Sequence, residues 1–237
     1  MVDLYWSTNG PSWNNNTNWL TGPVSSWYGI YIDVNDFDQV ARINLSNNNL
    51  SGSLTSSIGS LTRLNSLELY NNKISGSLPY TIGRMQRLVY MHIYNNQFTG
   101  NIPDSICQLN NLAAFEIHNN NFTGKIPECL VQKPLLHDLW IYNNEFDDLP
   151  DFTPLPGVSL KVYDNKLTFE DIEPNMALQA FNCSMCYQYF APQHYSINNA
   201  IDTTVLSGSS FSMLCSIGGN HNIYQWTKNG IDIPLAV

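Results

Sequence analysis

An asparagine recurs in this chain at a fixed period. Asn48, Asn72, Asn96, Asn120, Asn144 and Asn165 are separated by 24, 24, 24, 24 and 21 residues. Each sits in the frame L-x-x-L-x-L-x-x-N-x-L, which reads VARINLSNNNL, LNSLELYNNKI, LVYMHIYNNQF, LAAFEIHNNNF, LHDLWIYNNEF and, more loosely, GVSLKVYDNKL. The first four copies run on into a second phrase, LSGSL, ISGSLP, FTGNIP and FTGKIP. A period of this length leaves few folds open. One unit is too small to bury its own apolar residues and does so only by stacking on its neighbours, as one coil of a solenoid.

The frame gives each residue type a task. The alternating apolar positions point inward from a short strand, and stacked coils pair those strands into a parallel sheet over one continuous core. The chain must then turn inside that core, where backbone groups lack partners. A buried Asn amide both donates and accepts, so a ladder of Asn serves its own coil and the next. Gly52, Gly76, Gly100 and Gly124 suit a second tight bend, and Pro79, Pro103 and Pro127 fix extended backbone just past it.

Composition follows from the same repeat. Charged residues make up 12% of the 237, against about 25% in an average domain, while Asn and Ser number 31 and 22. Amides and hydroxyls that satisfy tight turns supply the polarity. The net charge of −9, from 10 basic and 19 acidic residues, leaves no basic surface for nucleic acid. No run approaches the roughly 20 apolar residues of a membrane-spanning helix. Met1 is followed by Val-Asp-Leu-Tyr-Trp, without the charged and apolar regions of a secretory leader. Either a cytosolic chain or a mature fragment is therefore expected.

The frame together with L-[ST]-G-x-[IL]-P resembles the plant-specific class of leucine-rich repeat, found in plant receptor ectodomains, polygalacturonase-inhibiting proteins and bacterial secreted proteins. The resemblance covers about residues 1–170. It implies an α/β chain, mainly β with short 3-10 or helical segments, wound as a right-handed solenoid. The expected organisation is an N-terminal cap over 1–39, six coils over 40–170, a C-terminal cap and linker over 171–200, and a partial immunoglobulin-like β-sandwich over 201–237. In the cap, Trp6, Trp13, Trp19 and Trp27 are expected to cover the open end of the core. The paired cysteines of the plant cap are absent, which favours the bacterial variant. YGIYIDVNDFDQVARINL reads as a hairpin entering the first coil. Its Asp33, Asn35, Asp36 and Asp38 lack the Gly and distal Glu of a calcium loop, so a plain acidic turn is expected. KLTFEDIEPN resembles the exit phrase of bacterial members and is expected to form a short closing helix. Cys215 and Trp226, within YQWTKNG and its approach, resemble strands B and C of an immunoglobulin-like sandwich. The incompleteness of that segment favours a part of a longer polypeptide.

Five cysteines are present. Cys107 and Cys129 lie in successive coils, two frame positions out of register, and are a candidate disulfide. Cys183 and Cys186 form a lone C-x-x-C with neither a second pair for zinc nor a thioredoxin-like context, leaving a local disulfide or free thiols.

The outward strand positions form three columns on the concave face. Arg42, Ser66, Tyr90, Ala114, Asp138 and Ser159 make one; Asn44, Glu68, His92, Glu116, Trp140 and Lys161 the second; Ser46, Tyr70, Tyr94, His118, Tyr142 and Tyr163 the third. At about 4.8 Å per strand the face is about 24 Å long. Tyr70, Tyr90, Tyr94, His92, Glu116, His118, Asp138, Trp140, Tyr142 and Tyr163 are the candidate ligand contacts, since aromatic side chains concentrate binding energy. The opposing reading is that the Tyr column is copied with the repeat and its rings stack on one another. Glu68, His92 and Glu116, in line one coil apart, suggest a metal site or a carboxylate pair about 10 Å apart. An open face does not desolvate an acid, and no nucleophile elbow, phosphate loop or HExxH is present.

The chain is accordingly expected to be no enzyme and to need no cofactor or metal. We expect an extracellular or cell-surface recognition or adhesion module that binds a protein or polysaccharide on its concave face. The alternatives are a structural spacer or self-associating stalk unit, and an inhibitor of a secreted glycan-degrading enzyme.

Overall fold

Each frame after the first contributes one three-residue strand whose central apolar side chain points inward. In the computed structural model, which describes residues 1–36, 38–155, 157–172, 174, 175, 178, 227, 228, 231 and 232, this produces a seven-stranded sheet. A short helix α1 (Val2–Ser7) opens the chain, and an antiparallel pair, β1 (Ile30–Asp33) and β2 (Gln39–Asn44), leads into the coils. The parallel strands are β2, β4 (Ser66–Glu68), β6 (Tyr90–His92), β8 (Ala114–Glu116), β10 (Asp138–Trp140) and β12 (Ser159–Lys161), in that order across the sheet. Ile43, Leu67, Met91, Phe115, Leu139 and Leu160 form one inward row, and Leu45, Leu69, Ile93, Ile117, Ile141 and Val162 the next; each is at most 1% exposed. Burial on this scale contributes about 1.5–3 kcal/mol per side chain.

The second phrase does more than bend. β3 (Ser51–Ser53), β5 (Lys73–Gly76), β7 (Gln97–Gly100), β9 (Asn121–Lys125) and β11 (Glu145–Asp148) form a second, five-stranded parallel sheet. Its inward residues include Phe98, Phe122 and Phe146, whose rings stack at 5.8 and 6.2 Å. Gly52 has φ +107, and a Cβ there would lie 2.2 Å from the Ser7 carbonyl, so only glycine lets the first coil meet α1. Short 3-10 segments, Ser56–Ser60, Tyr80–Arg84, Asp104–Gln108 and Glu128–Gln132, close the far side of successive coils. A disulfide joins Cys107 to Cys129 across the last two of these, with Cα atoms 5.6 Å apart.

Between the sheets runs the asparagine ladder. The Asn96 carboxamide oxygen accepts from Ile74 N at 3.0 Å. Its Nδ2 donates to the carbonyls of Leu69, Ile93 and Tyr94 at 2.9, 3.1 and 3.2 Å. Asn72, Asn120, Asn144 and Asn165 repeat the pattern. Asn48 turns it toward the cap, donating to the Asn15 carbonyl and accepting from Asn15 N at 2.9 and 2.7 Å. At the other end, outside any frame, the fully buried Asn175 accepts from Phe152 N and donates to the Pro150 and Asp171 carbonyls.

The residue before each rung has its own role. Asn47, Asn71, Asn95, Asn119, Asn143 and Asp164 all have φ between +52 and +56, a left-handed conformation that Asn and Asp tolerate better than other non-glycine residues. The five Asn also link through their side chains in a second, exposed ladder, from Asn71 to Asn47 and onward to Asn143.

The cap departs from expectation at one residue. Trp13, Trp19 and Trp27 are buried and in contact, but Trp6 is 60% exposed and meets the cluster through an edge contact with Tyr5. One helical residue separates its direction from that of buried Tyr5, and α1 has only one buried face. In the acidic turn Asp36 binds arginine, lying 2.6 Å from Arg87 and 3.4 Å from Arg63. A short helix α2 (Phe169–Ile172) follows the last rung. Beyond it, Thr227–Lys228 and Ile231–Asp232 pair antiparallel as β13 and β14. Cys183, Cys186, Cys215 and Trp226, with most of the linker and of the immunoglobulin-like segment, lie outside the described residues.

Asn96→Ala strands one amide N–H and the carbonyls it served. At about 1–3 kcal/mol per orphaned buried group it should lose about 3 kcal/mol or more in urea denaturation. Its neighbour Asn95→Gly, which keeps the left-handed turn, should lose less than about 1 kcal/mol. Equal losses for the two would refute the division of labour between adjacent asparagines.

Candidate functional site

Parallel pairing brings the outward residues into register. Arg42, Ser66, Tyr90, Ala114, Asp138 and Ser159 are consecutive partners, as are Asn44, Glu68, His92, Glu116, Trp140 and Lys161. The third column follows the strands and stacks: Tyr70, Tyr94, His118, Tyr142 and Tyr163 have successive centroids 4.6, 4.4, 4.3 and 4.4 Å apart, with interplanar angles of 8, 11, 17 and 13°.

That stacking changes what the column offers. Tyr94, His118 and Tyr142 have both ring faces covered, so the row presents edges and hydroxyls outward. His118 is 5% exposed and is part of the wall rather than a contact. Burial, with Lys161 and His92 adding to it, lowers its pKa to about 4 and keeps the imidazole neutral at pH 7. Burial likewise raises the phenols of Tyr94 and Tyr142 above their ordinary value.

The line Glu68–His92–Glu116 divides into unlike parts. Glu68 is held by Arg42 through Nε at 2.7 Å and Nη2 at 3.1 Å. It also accepts from Asn44 Nδ2 and Ser66 Oγ at 2.8 and 2.9 Å. The Arg42 guanidinium lies 5.2 Å from the centroid of the Tyr31 ring. Glu116, by contrast, has His92 Nε2 as its ion-pair partner among the described residues, at a distant 3.8 Å. Burial raises its pKa first; His92 and Lys161 pull it down, and Asp138 raises it further. The Nε2 of His92 and Nδ1 of His118 are buried without hydrogen-bond partners. Among the described residues no group of three His, Cys, Asp or Glu is arranged to hold a metal ion.

Around this centre, Tyr90 is 44% exposed, with its ring 6.1 Å from that of His92. Trp140 donates from Nε1 to Ser159 Oγ at 3.2 Å and carries Lys161 Nζ 3.4 Å from its ring centroid. Asp138 meets His137 Nδ1 at 2.8 Å. The sequence reading passed over Tyr31, because β1 adds its strand to the face through a hairpin outside the repeat; the apolar–polar alternation of Ile30–Asp33 is the signal that would have placed it. A groove of about 700 Å³ lies away from this face, beside β9 and β11, and includes Asp104, Glu128 and Asp147.

The chain carries leucine-rich repeats: the Leucine Rich Repeat model matches residues 39–61, 63–85 and 87–109. Solved structures share the fold. The BIR2 ectodomain from Arabidopsis thaliana aligns with a TM-score of 0.56 and 20% identity, over 63% of this chain and 82% of that one. A pollen receptor kinase 3 aligns at 0.54 and 29%, over 62% and 73%. PEPR1, solved with AtPEP1, aligns at 0.52 and 24%, over 70% of this chain and 28% of that one. Against the longer receptor chains this chain spans 16% to 28% of their length. A sequence comparison with curated proteins finds no match.

The neutral His118 makes the row acid-sensitive. Between pH 6.5 and about 4 the unfolded chain takes up a proton that the folded chain refuses, so stability falls as pH falls through that window and the loss ends below it. His118→Phe keeps a ring in the row without the titration. Its unfolding free energy should vary less than the wild type's from pH 7 to 4; parallel curves would refute the assignment.

Proposed function

We propose that the chain is a non-enzymatic recognition module that binds an extended peptide or protein segment along its concave face. The observation that carries this reading is the composition of that face. The two asparagine ladders and the apolar rows satisfy the solenoid, and Tyr90, His92, Glu116, Asp138 and Trp140 stand on the open side of the sheet, where the core has no use for them. A rigid aromatic surface with interspersed charge suits a protein ligand. The covered ring faces of the tyrosine row favour a peptide over a polysaccharide, since sugars stack on faces and a comb of hydroxyl edges hydrogen-bonds backbone. PEPR1, with the same fold, was solved with AtPEP1.

We assign the repeats to the plant-specific 24-residue class, on the L-[ST]-G-x-[IL]-P phrase, and the whole to an extracellular or cell-surface protein. The Cys107–Cys129 disulfide supports that compartment, because such bonds persist mainly under oxidising conditions.

Panning a displayed library of random 12-residue peptides on the full chain tests the reading. Binders should be enriched, and the double substitution Tyr90→Ala and Trp140→Ala should weaken them at least about tenfold while the chain still unfolds cooperatively. Failure to enrich any peptide, or equal binding to the double variant, would overturn it.

A further inference from the structure

The two glutamates of the central column are treated differently: Glu68 is hydrogen-bonded on several sides, although Arg42 Nε beside it is itself outside hydrogen-bond geometry, and Glu116 is not. In the first two coils Glu68 accepts from Arg42, Asn44 and Ser66, and Asn44 also accepts from Ser46 Oγ. In the third and fourth coils His92 Nε2 and His118 Nδ1 are buried without partners, and Glu116, with a side chain 14% exposed, faces an imidazole too distant for a hydrogen bond. Leaving a buried polar group unpaired costs about 1–3 kcal/mol, so such groups seldom cluster without cause.

We propose that this centre receives an arginine side chain of the bound peptide, with Glu116 as its carboxylate and Tyr90 and Trp140 as its aromatic flanks. The inference rests on the concave-face reading above. A guanidinium fits because its planar fork pairs both oxygens of a carboxylate while its face lies against an aromatic ring. The face already displays that chemistry. Arg42 pairs with Glu68 through an Nη2 hydrogen bond, with Nε 2.7 Å from the other oxygen and the Tyr31 ring 5.2 Å away, and Glu116 stands in the same column two coils further on. There the register partners are His92 on β6 and Trp140 on β10, and no arginine of this chain occupies the neighbouring column positions, which are Tyr90, Ala114 and Asp138. Asp138 adds negative charge beside the site, Lys161 lies over the Trp140 ring and already acts on Glu116 as a cation that the arginine must share the site with, and His118 contributes no charge at neutral pH. The net charge of −9 favours a basic partner at long range.

The peptides enriched by panning supply the probe. They should share an arginine, and replacing it with citrulline should weaken binding at least about tenfold. Glu116→Gln should weaken the arginine peptide by a similar factor, leave the melting temperature within a few degrees of wild type, and make the citrulline replacement nearly without further effect. Binders that lack arginine, or arginine peptides indifferent to Glu116→Gln yet lost with Tyr90→Ala and Trp140→Ala, would overturn the arginine site while leaving concave-face binding in place. If no peptide depends on Tyr90 and Trp140, the concave-face reading fails and this inference with it.

Discussion

Everything in this solenoid depends on what a carboxamide does inside an apolar core. A chain that turns every 24 residues must place backbone amides and carbonyls where water cannot reach them. One Asn per coil answers with an acceptor for an N–H of the coil before and a donor shared among carbonyls of both coils. The same contacts set the spacing between strands and hence the register of every outward side chain. The positions of Tyr90, Glu116 and Trp140 relative to one another are therefore fixed from beneath, by groups that touch none of them.

The concave face shows the cost and the use of strict repetition. Copying Tyr into one frame position puts the rings about one strand spacing apart, close enough to stack, and stacking hides their faces. The row becomes a stiff wall. Variation is concentrated in the other two columns, where Tyr, His, Glu, Asp, Trp and Ala replace one another from coil to coil, while the tyrosine row departs only at Ser46 and His118. Chemistry specific to this chain is found in those columns, and the unpaired imidazoles and carboxylate fall at the middle of the array, furthest from either cap.

The repeat made the larger part of the architecture legible: strand positions, column membership, the buried ladder and the entering hairpin all follow from spacing. What escaped had physical reasons. The second sheet was hidden because SGS, KISG and QFTG are short and each carries a glycine, and pair only because the first sheet brings neighbouring coils together. Asn175 escaped because it serves a turn that no frame announces. Trp6 was misplaced because composition counts aromatic residues without saying which side of a one-and-a-half-turn helix each occupies. The columns gave the members of the candidate site, but not that Glu68 is spent on Arg42, that His118 is enclosed, or that Glu116 is left over. Those distinctions depend on side-chain conformers and burial, which a linear pattern does not carry.

The two ends of the ladder have a consequence for how such a chain changes by duplication. The cap grips the first coil through Asn47, Asn48, Asn49 and Ser51, and the closing segment supplies its own rung in Asn175. The entering hairpin reaches further in, where Asp36 pairs with Arg63 and Arg87. A duplicated unit of 24 residues inserted past the coil of Arg87 would bring its own rung, strand and tyrosine, lengthen the wall by one step, and leave both ends seated as before. Length is thus an inherited variable that selection can adjust independently of the central chemistry, provided the insertion falls outside the stretch from Tyr90 to Trp140.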